Sequence, residues 1–123
     1  MIRPRKATGA LGEKLAAKHL AGLGYKILET NSRYPQGEID IVARDGEYLV
    51  FVEVRTKSGP DFGTPEESVT RAKKERLISL ALLYLQTHSR LPPLWRIDVV
   101  AVELGPQGKP SRVEVIQNAV SLP

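Results

Sequence analysis

Gly37-Glu38-Ile39-Asp40-Ile41-Val42-Ala43-Arg44-Asp45-Gly46-Glu47-Tyr48-Leu49-Val50-Phe51-Val52-Glu53-Val54-Arg55-Thr56-Lys57 reads as two strands around a tight turn. Asp45-Gly46 carries the turn signal, because both central residues of a type I′ turn need positive φ. With those two residues as the loop, Arg44 faces Glu47, Ile39 faces Val52, Asp40 faces Phe51 and Glu38 faces Glu53. Side chains alternate between faces along a strand. One face therefore carries Ile39, Ile41, Ala43, Tyr48, Val50, Val52 and Val54. The other carries Val42, Leu49 and Phe51 near the turn, and Glu38, Asp40, Glu53, Arg55 and Lys57 at the open end.

Carboxylates gathered on one half-buried strand end repel one another unless something positive sits among them. Hard divalent cations such as Mg²⁺ take carboxylate and carbonyl oxygens and pair with phosphate substrates. A solvated strand end stitched by surface ion pairs is the competing reading of the same residues.

Upstream, Thr8 is placed to cap a helix running to about Leu23, with Gly24 to end it. Leu11, Leu15, Ala16, Leu20 and Leu23 give that helix an apolar face. Glu13 shares a stripe with Ala16, Ala17 and Leu20, and a carboxylate at the edge of a core needs a partner. Snorkelling outward or pairing with a lysine is the plain alternative. Tyr25 to Asn31 reads as the first strand, and Asn31 to Gly37 as a loop in which Arg33 beside Tyr34 is a candidate nucleic-acid contact. His19 and His88 lack ligand spacing.

Downstream, Ser58 to Thr64 is a loop. Thr64-Pro65-Glu66-Glu67 satisfies a capping box for a short helical turn over Pro65 to Val69. Thr70 caps the second long helix, which runs to about His88 with Leu77, Ile78, Ala81, Leu82, Tyr84 and Leu85 on its buried side. Arg71, Lys73, Lys74 and Arg76 crowd its first two turns, where the dipole already makes the end positive. Free amides with clustered cations suit an anion such as phosphate; a solvated basic face relieved by Glu66, Glu67 and Glu75 is the alternative. Pro92-Pro93 breaks the chain. Trp95 to Leu104 is nearly continuously apolar, as for a central strand buried on both faces. Asp98 is the exception there and is expected to pair with Arg96 or a helix cation rather than a metal. Arg112 to Gln117 alternates as an edge strand.

These residues resemble a known group. Asp40, followed a strand's length later by Glu53-Val54-Arg55, is similar to the Asp…Glu-x-Lys signature of the restriction-endonuclease-like nucleases. Gly12-Glu13, Gly37 to Val42, Phe51 to Arg55, Ser68-Val69-Thr70 with Lys73, and Arg96 to Ala101 occur in that order over nearly the whole chain. Together they resemble the bacterial YraN family (UPF0102), related to archaeal Holliday-junction resolvases. The resemblance implies a restriction-endonuclease-like α/β sandwich, a mixed sheet flanked by helices in the order α-β-β-β-α-β-β. It implies a metal-dependent endonuclease acting on DNA, with branched or recombination intermediates as candidate substrates. Asp40 and Glu53 would ligate Mg²⁺ or Mn²⁺ together with the Val54 carbonyl, and Glu13 would be a further ligand or would position a metal-bound water; Glu38 stands behind these.

The signature's lysine position holds Arg55. Arginine stabilises phosphorane charge but is a poor proton acceptor at neutral pH. Lys57 follows on the same face and substitutes if the strand stays regular. The candidate catalytic set is thus Asp40, Glu53, Arg55, Lys57 and Glu13, and the candidate DNA-binding set Arg71, Lys73, Lys74 and Arg76, with Arg3, Arg5 and Lys6 as a second basic group. A resolvase needs two active sites, so that version calls for a homodimer. Two other classes compete: a non-catalytic nucleic-acid-binding module with a degenerate nuclease site, and a protein-interaction domain using the edge strand.

Composition agrees with this and excludes other classes. A chain of 123 residues suggests one domain, 1–123. There is no cysteine, hence no disulfide framework or thiolate metal site, which fits a cytoplasmic protein. No apolar run approaches the ~20 residues of a membrane span, and no membrane partner is expected. The net charge of +4 is moderate, so the placement of the cations informs more than their sum.

Overall fold

The structure, a computed structural model, describes residues 5–60 and 63–121, apart from the side chains of Arg5 and Lys6. Arg3 and those two side chains, and with them the second basic group, lie outside the described residues. Helix α1 spans Arg5–Gly22, strands β1, β2 and β3 span Lys26–Tyr34, Gly37–Asp45 and Tyr48–Ser58, and helix α2 spans Arg71–Thr87. Strands β4 (Leu94–Leu104) and β5 (Pro110–Ile116) complete a sheet of order β1-β2-β3-β4-β5. Only β3 and β4 run parallel, joined by the crossover through α2; the other neighbours are antiparallel. The order α-β-β-β-α-β-β is the expected one.

The sheet buries both faces. Ala16 and Leu20 of α1 pack on Ile41, Ala43, Val50, Val52, Val100 and Val102. Leu77, Leu80, Ala81 and Tyr84 of α2 pack on Val42, Leu49, Phe51, Ile97 and Val99 across the sheet. This two-sided cover explains why β4 is nearly continuously apolar. The chain is therefore an α/β sandwich with a mixed sheet, in agreement with the restriction-endonuclease-like architecture.

Several local expectations change. The β2–β3 ladder pairs Asp45 with Tyr48 and Ile41 with Val52, so the loop is Gly46-Glu47 rather than Asp45-Gly46. Of those two residues Gly46 alone has positive φ, +59°, which suits a type II′ turn. The register moves by a two-residue step, which keeps side-chain parity and hence the expected faces. Ile39 departs from them: it packs in the cluster under α2, not with Ile41 under α1. The expected loop from Asn31 is strand as far as Tyr34, because Ser32, Arg33 and Tyr34 pair with Ile39, Glu38 and Gly37; only Pro35-Gln36 is left to turn. Helix α1 begins before Thr8, so Thr8 is not its cap. Gly24, at φ +96°, does end it: Tyr25 N–H donates to Leu20 O and Gly24 N–H to Ala21 O, both at 3.0 Å, a Schellman closure. In α2, Leu80 is buried and Leu82 is 46% exposed, the reverse of the expectation for Leu82. Thr70 caps α2 by accepting from Lys73 N–H at 3.2 Å, and Thr64 and Glu67 form the reciprocal box.

Candidate functional site

The open end of the hairpin is where the β2–β3 ladder stops. Pairing ends at Ile41↔Val52, and beyond it Asp40 reaches across instead: Val54 N–H donates to Asp40 Oδ2 at 2.8 Å. A side chain thus takes the place of a ladder carbonyl, which leaves the strands parted and carboxylates in the gap.

Glu13 joins them from α1. Carboxylate oxygens of Glu13, Glu38 and Asp40 lie within 4.8 Å of one another, all half-buried. Glu13 can come so close because Gly12 lies against the sheet; a Cβ there would run into the side chain of Thr56 on β3. Asn31 completes the rim, donating its side-chain amide to Glu13 at 3.3 Å and to Glu38. It sits at φ +54° inside β1, across from Asp40, a left-handed conformation that asparagine tolerates best among residues with a side chain. Sequence reasoning missed Asn31; its one signal was an asparagine in the strand pattern.

Glu53 is buried, 3% exposed, and holds the other side of the gap. Lys73 Nζ lies 3.2 Å from Glu53 Oε2, and Arg55 Nη1 lies 3.5 Å from it. Burial, then the charge and hydrogen bond of Glu53, push Asp40 up to about 9, against the pull of the Val54 N–H. A divalent ion bound there would pull that value down again. Glu13, Glu38 and Asp40 are close enough together to share one metal ion, and Glu53 adjoins them through Asp40; hard oxygen donors of this kind suit ions such as Mg²⁺ or Mn²⁺. Glu38 stands nearer to Glu13 and Asp40 than the sequence reading weighted it.

The cations divide. Arg55 donates from Nε to Ser68 Oγ at 2.8 Å. Lys57, on a strand that does stay regular, donates to Gly63 O at 2.6 Å. Lys73 is half-buried on Glu53, whereas Arg71, Lys74 and Arg76 are exposed on the same helix. Arg33 is exposed and pairs across the strands with Glu38 at 3.6 Å. Its neighbour Tyr34 packs against the core under α2 rather than offering a free ring. Tyr84 is core, as expected, with Phe51 edge-on and His88 stacked on it.

Asp98 lies apart. It is fully buried, accepting from Tyr25 OH at 3.0 Å, Arg96 Nε at 2.9 Å and Asn118 N–H at 2.9 Å. Arg96 also pairs with Asp45 at 2.8 Å.

The sequence model of the Uncharacterised protein family UPF0102 matches residues 12–102, which spans Glu13, Asp40, Glu53, Lys73 and Asp98. A UPF0102 protein of Dehalococcoides mccartyi is 54% identical over 98% of both chains. One from Symbiobacterium thermophilum is 50% identical over 93% of this chain and 96% of its own. Another, from Moorella thermoacetica, is 50% identical over 97% and 99%. These names state a family and no activity.

Proposed function

We propose, for a chain that belongs to the Uncharacterised protein family UPF0102, a metal-dependent phosphodiesterase activity on DNA. The observation that carries this reading is the convergence of Glu13, Glu38 and Asp40 beside buried Glu53, at the point where the β2–β3 ladder has ended. Surface ion pairs alone would place such carboxylates in water, where repulsion is weak. Here Glu13, Glu38 and Asp40 lie half-buried and close to one another, with Asn31 and Arg33 on their outer side and Lys73 and Arg55 on Glu53.

Asp40 and Glu53 would hold the metal, with the Val54 carbonyl, while Glu13 and Glu38 complete the donor set from the α1 side. A bound Mg²⁺ or Mn²⁺ supplies a nucleophilic water at neutral pH and neutralises phosphate charge. Arg55, steadied by Ser68, is set to stabilise charge on the phosphoryl oxygens. Exposed Arg71, Lys74 and Arg76 extend a basic surface from the site along α2, and phosphate contacts there would position the strand.

The test is to incubate pure protein with duplex, single-stranded, flap and four-way DNA, with Mn²⁺ and with chelator. Metal-dependent cleavage that Asp40→Asn and Glu53→Gln abolish is the expected result. Loss of cleavage with DNA affinity retained separates cutting from binding. Replacing Lys74 and Arg76 with Ala should lower the log–log salt slope of DNA binding by about two. Metal-independent DNA binding with no cleavage of any substrate would favour the non-catalytic binding module.

A further inference from the structure

The site's strand cation is an arginine, and its commitments leave one role unfilled. Arg55 divides its guanidinium between Ser68 and Glu53. Lys57 is drawn off to the Gly63 carbonyl. Lys73 shares the cleft with both and the Glu53 carboxylate with Arg55, and differs in carrying its ammonium on α2. Its backbone is fixed by the Thr70 cap, its side chain is half-buried, and its ammonium lies on the buried carboxylate of Glu53. It also lines the cleft that Glu13, Asp40 and Glu53 line. Among the described residues, Glu53 is the ionic partner the structure gives it.

We propose that Lys73, brought in by α2, is the ammonium that meets the reacting phosphate, in place of a lysine on β3. The inference rests on the nuclease reading above. In the structure Lys73 balances Glu53. With a divalent ion on that carboxylate, the flexible stem would carry the ammonium toward a non-bridging phosphate oxygen. An ammonium is a compact charge on rotatable bonds, suited to such a move, whereas the Arg55 fork is held by two partners. In the hydrolysis itself a water oxygen forms the new P–O bond, and the P–O bond to the leaving sugar oxygen breaks. One water proton passes to solvent and the leaving oxygen takes one up. Lys73 keeps its protons throughout and supplies charge.

This role makes opposite demands on metal binding and on cleavage. Lys73→Met keeps the stem and removes a charge that repels the incoming cation. Calorimetric titration should therefore show Mn²⁺ binding to the variant about tenfold tighter than to wild type. Single-turnover cleavage at saturating Mn²⁺ should fall on the order of 10²-fold, and Lys73→Arg should recover part of it. Arg55→Ala and Lys57→Ala should each cost less than Lys73→Met. Weaker Mn²⁺ binding in folded Lys73→Met would make Lys73 a structural strut and overturn the proposal, as would wild-type cleavage by that variant. If Lys73→Met fails to fold, Lys73→Gln is measured in the same way. A wild type that binds Mn²⁺ and cuts, with Lys73 variants unaltered, sinks this inference alone. A wild type that does neither overturns the nuclease reading and this inference with it.

Discussion

Asp98 and Asp40 are both carboxylates withdrawn from water on neighbouring parts of one sheet, and their surroundings differ in kind. Asp98 receives Arg96, Tyr25 OH and the Asn118 amide, so every lone pair that burial strips of water is answered by a donor. Asp40 receives one backbone N–H and faces Glu53, with Glu13 close behind. The first arrangement is closed: Arg96 is held further by Asp45 and lies over the Tyr25 and Tyr48 rings. The second is open: burial and the neighbouring carboxylates of Glu53 and Glu13 all work against its charge. A satisfied buried carboxylate ties elements together, whereas an under-compensated one marks a place where the fold accepts a cost for function.

The strongest way to break the comparison is Asp98→Ala. It leaves Arg96 with the Asp45 carboxylate and takes the acceptor from Tyr25 OH and Asn118 N–H, and urea unfolding should show a loss of about 3–5 kcal/mol. A loss below about 1 kcal/mol would mean that the network is not the tie described.

Next comes Gly12→Ala. The added Cβ meets Thr56, and overpacking of this kind costs about 1–3 kcal/mol. Because α1 must shift to relieve it, Glu13 moves too, and Mn²⁺ affinity should fall with stability. Affinity unchanged at reduced stability would remove Glu13 from the donor set.

Asp40→Asn should act in the opposite sense, raising metal-free stability at pH 7 by about 1–3 kcal/mol, since each unit of upward pKa shift corresponds to about 1.4 kcal/mol before relaxation. Asp40 titrates near 9 in the fold against 3.8 when exposed. Between those values the folded state holds the extra proton, so its contribution makes stability decline as pH rises. The variant should flatten that decline, and Mn²⁺ should raise the melting temperature of wild type but not of Asp40→Asn. Destabilisation by Asp40→Asn would place Asp40 with Asp98 as a structural carboxylate.

The smallest effect is expected at a surface control. Arg112 pairs with Glu66, Glu103 and Glu114, and its hydrogen bond holds Glu66 down at about 2. That depressed value contributes stability above the ordinary glutamate range, lost as pH falls toward 2. Partial exposure limits it to about 1 kcal/mol. Glu66→Gln should remove that acid-range slope and leave metal binding untouched.

Much of this contrast was legible before any coordinates. Asp98 stood out as a charge inside β4's largely apolar run, with Arg96 or a helix cation as its expected partner, and the structure gives it Arg96. Asp40 and Glu53 stood out by co-facial placement at the hairpin's open end, and Glu13 by its position on a core-edge stripe. The register, Ile39's side and the length of β1 were not legible. A turn signal fixes where a chain reverses only to within a residue or so, and Asn31 continues a strand at a φ that pattern reading takes for its end.

The sequence alone determined the order of helices and strands, the N-cap of α2, the two-sided burial of β4 and the carboxylates available at one strand end. Those follow from periodicity, turn chemistry and side-chain parity, which act over a few residues. Only the tertiary structure decided that Gly12 lets α1 descend until Glu13 meets Asp40, and that Lys73 leaves the basic face of α2 for Glu53. Those outcomes depend on how closely a helix approaches a sheet and at what rotation. Packing of many side chains far apart in sequence sets that approach, and no local pattern records it.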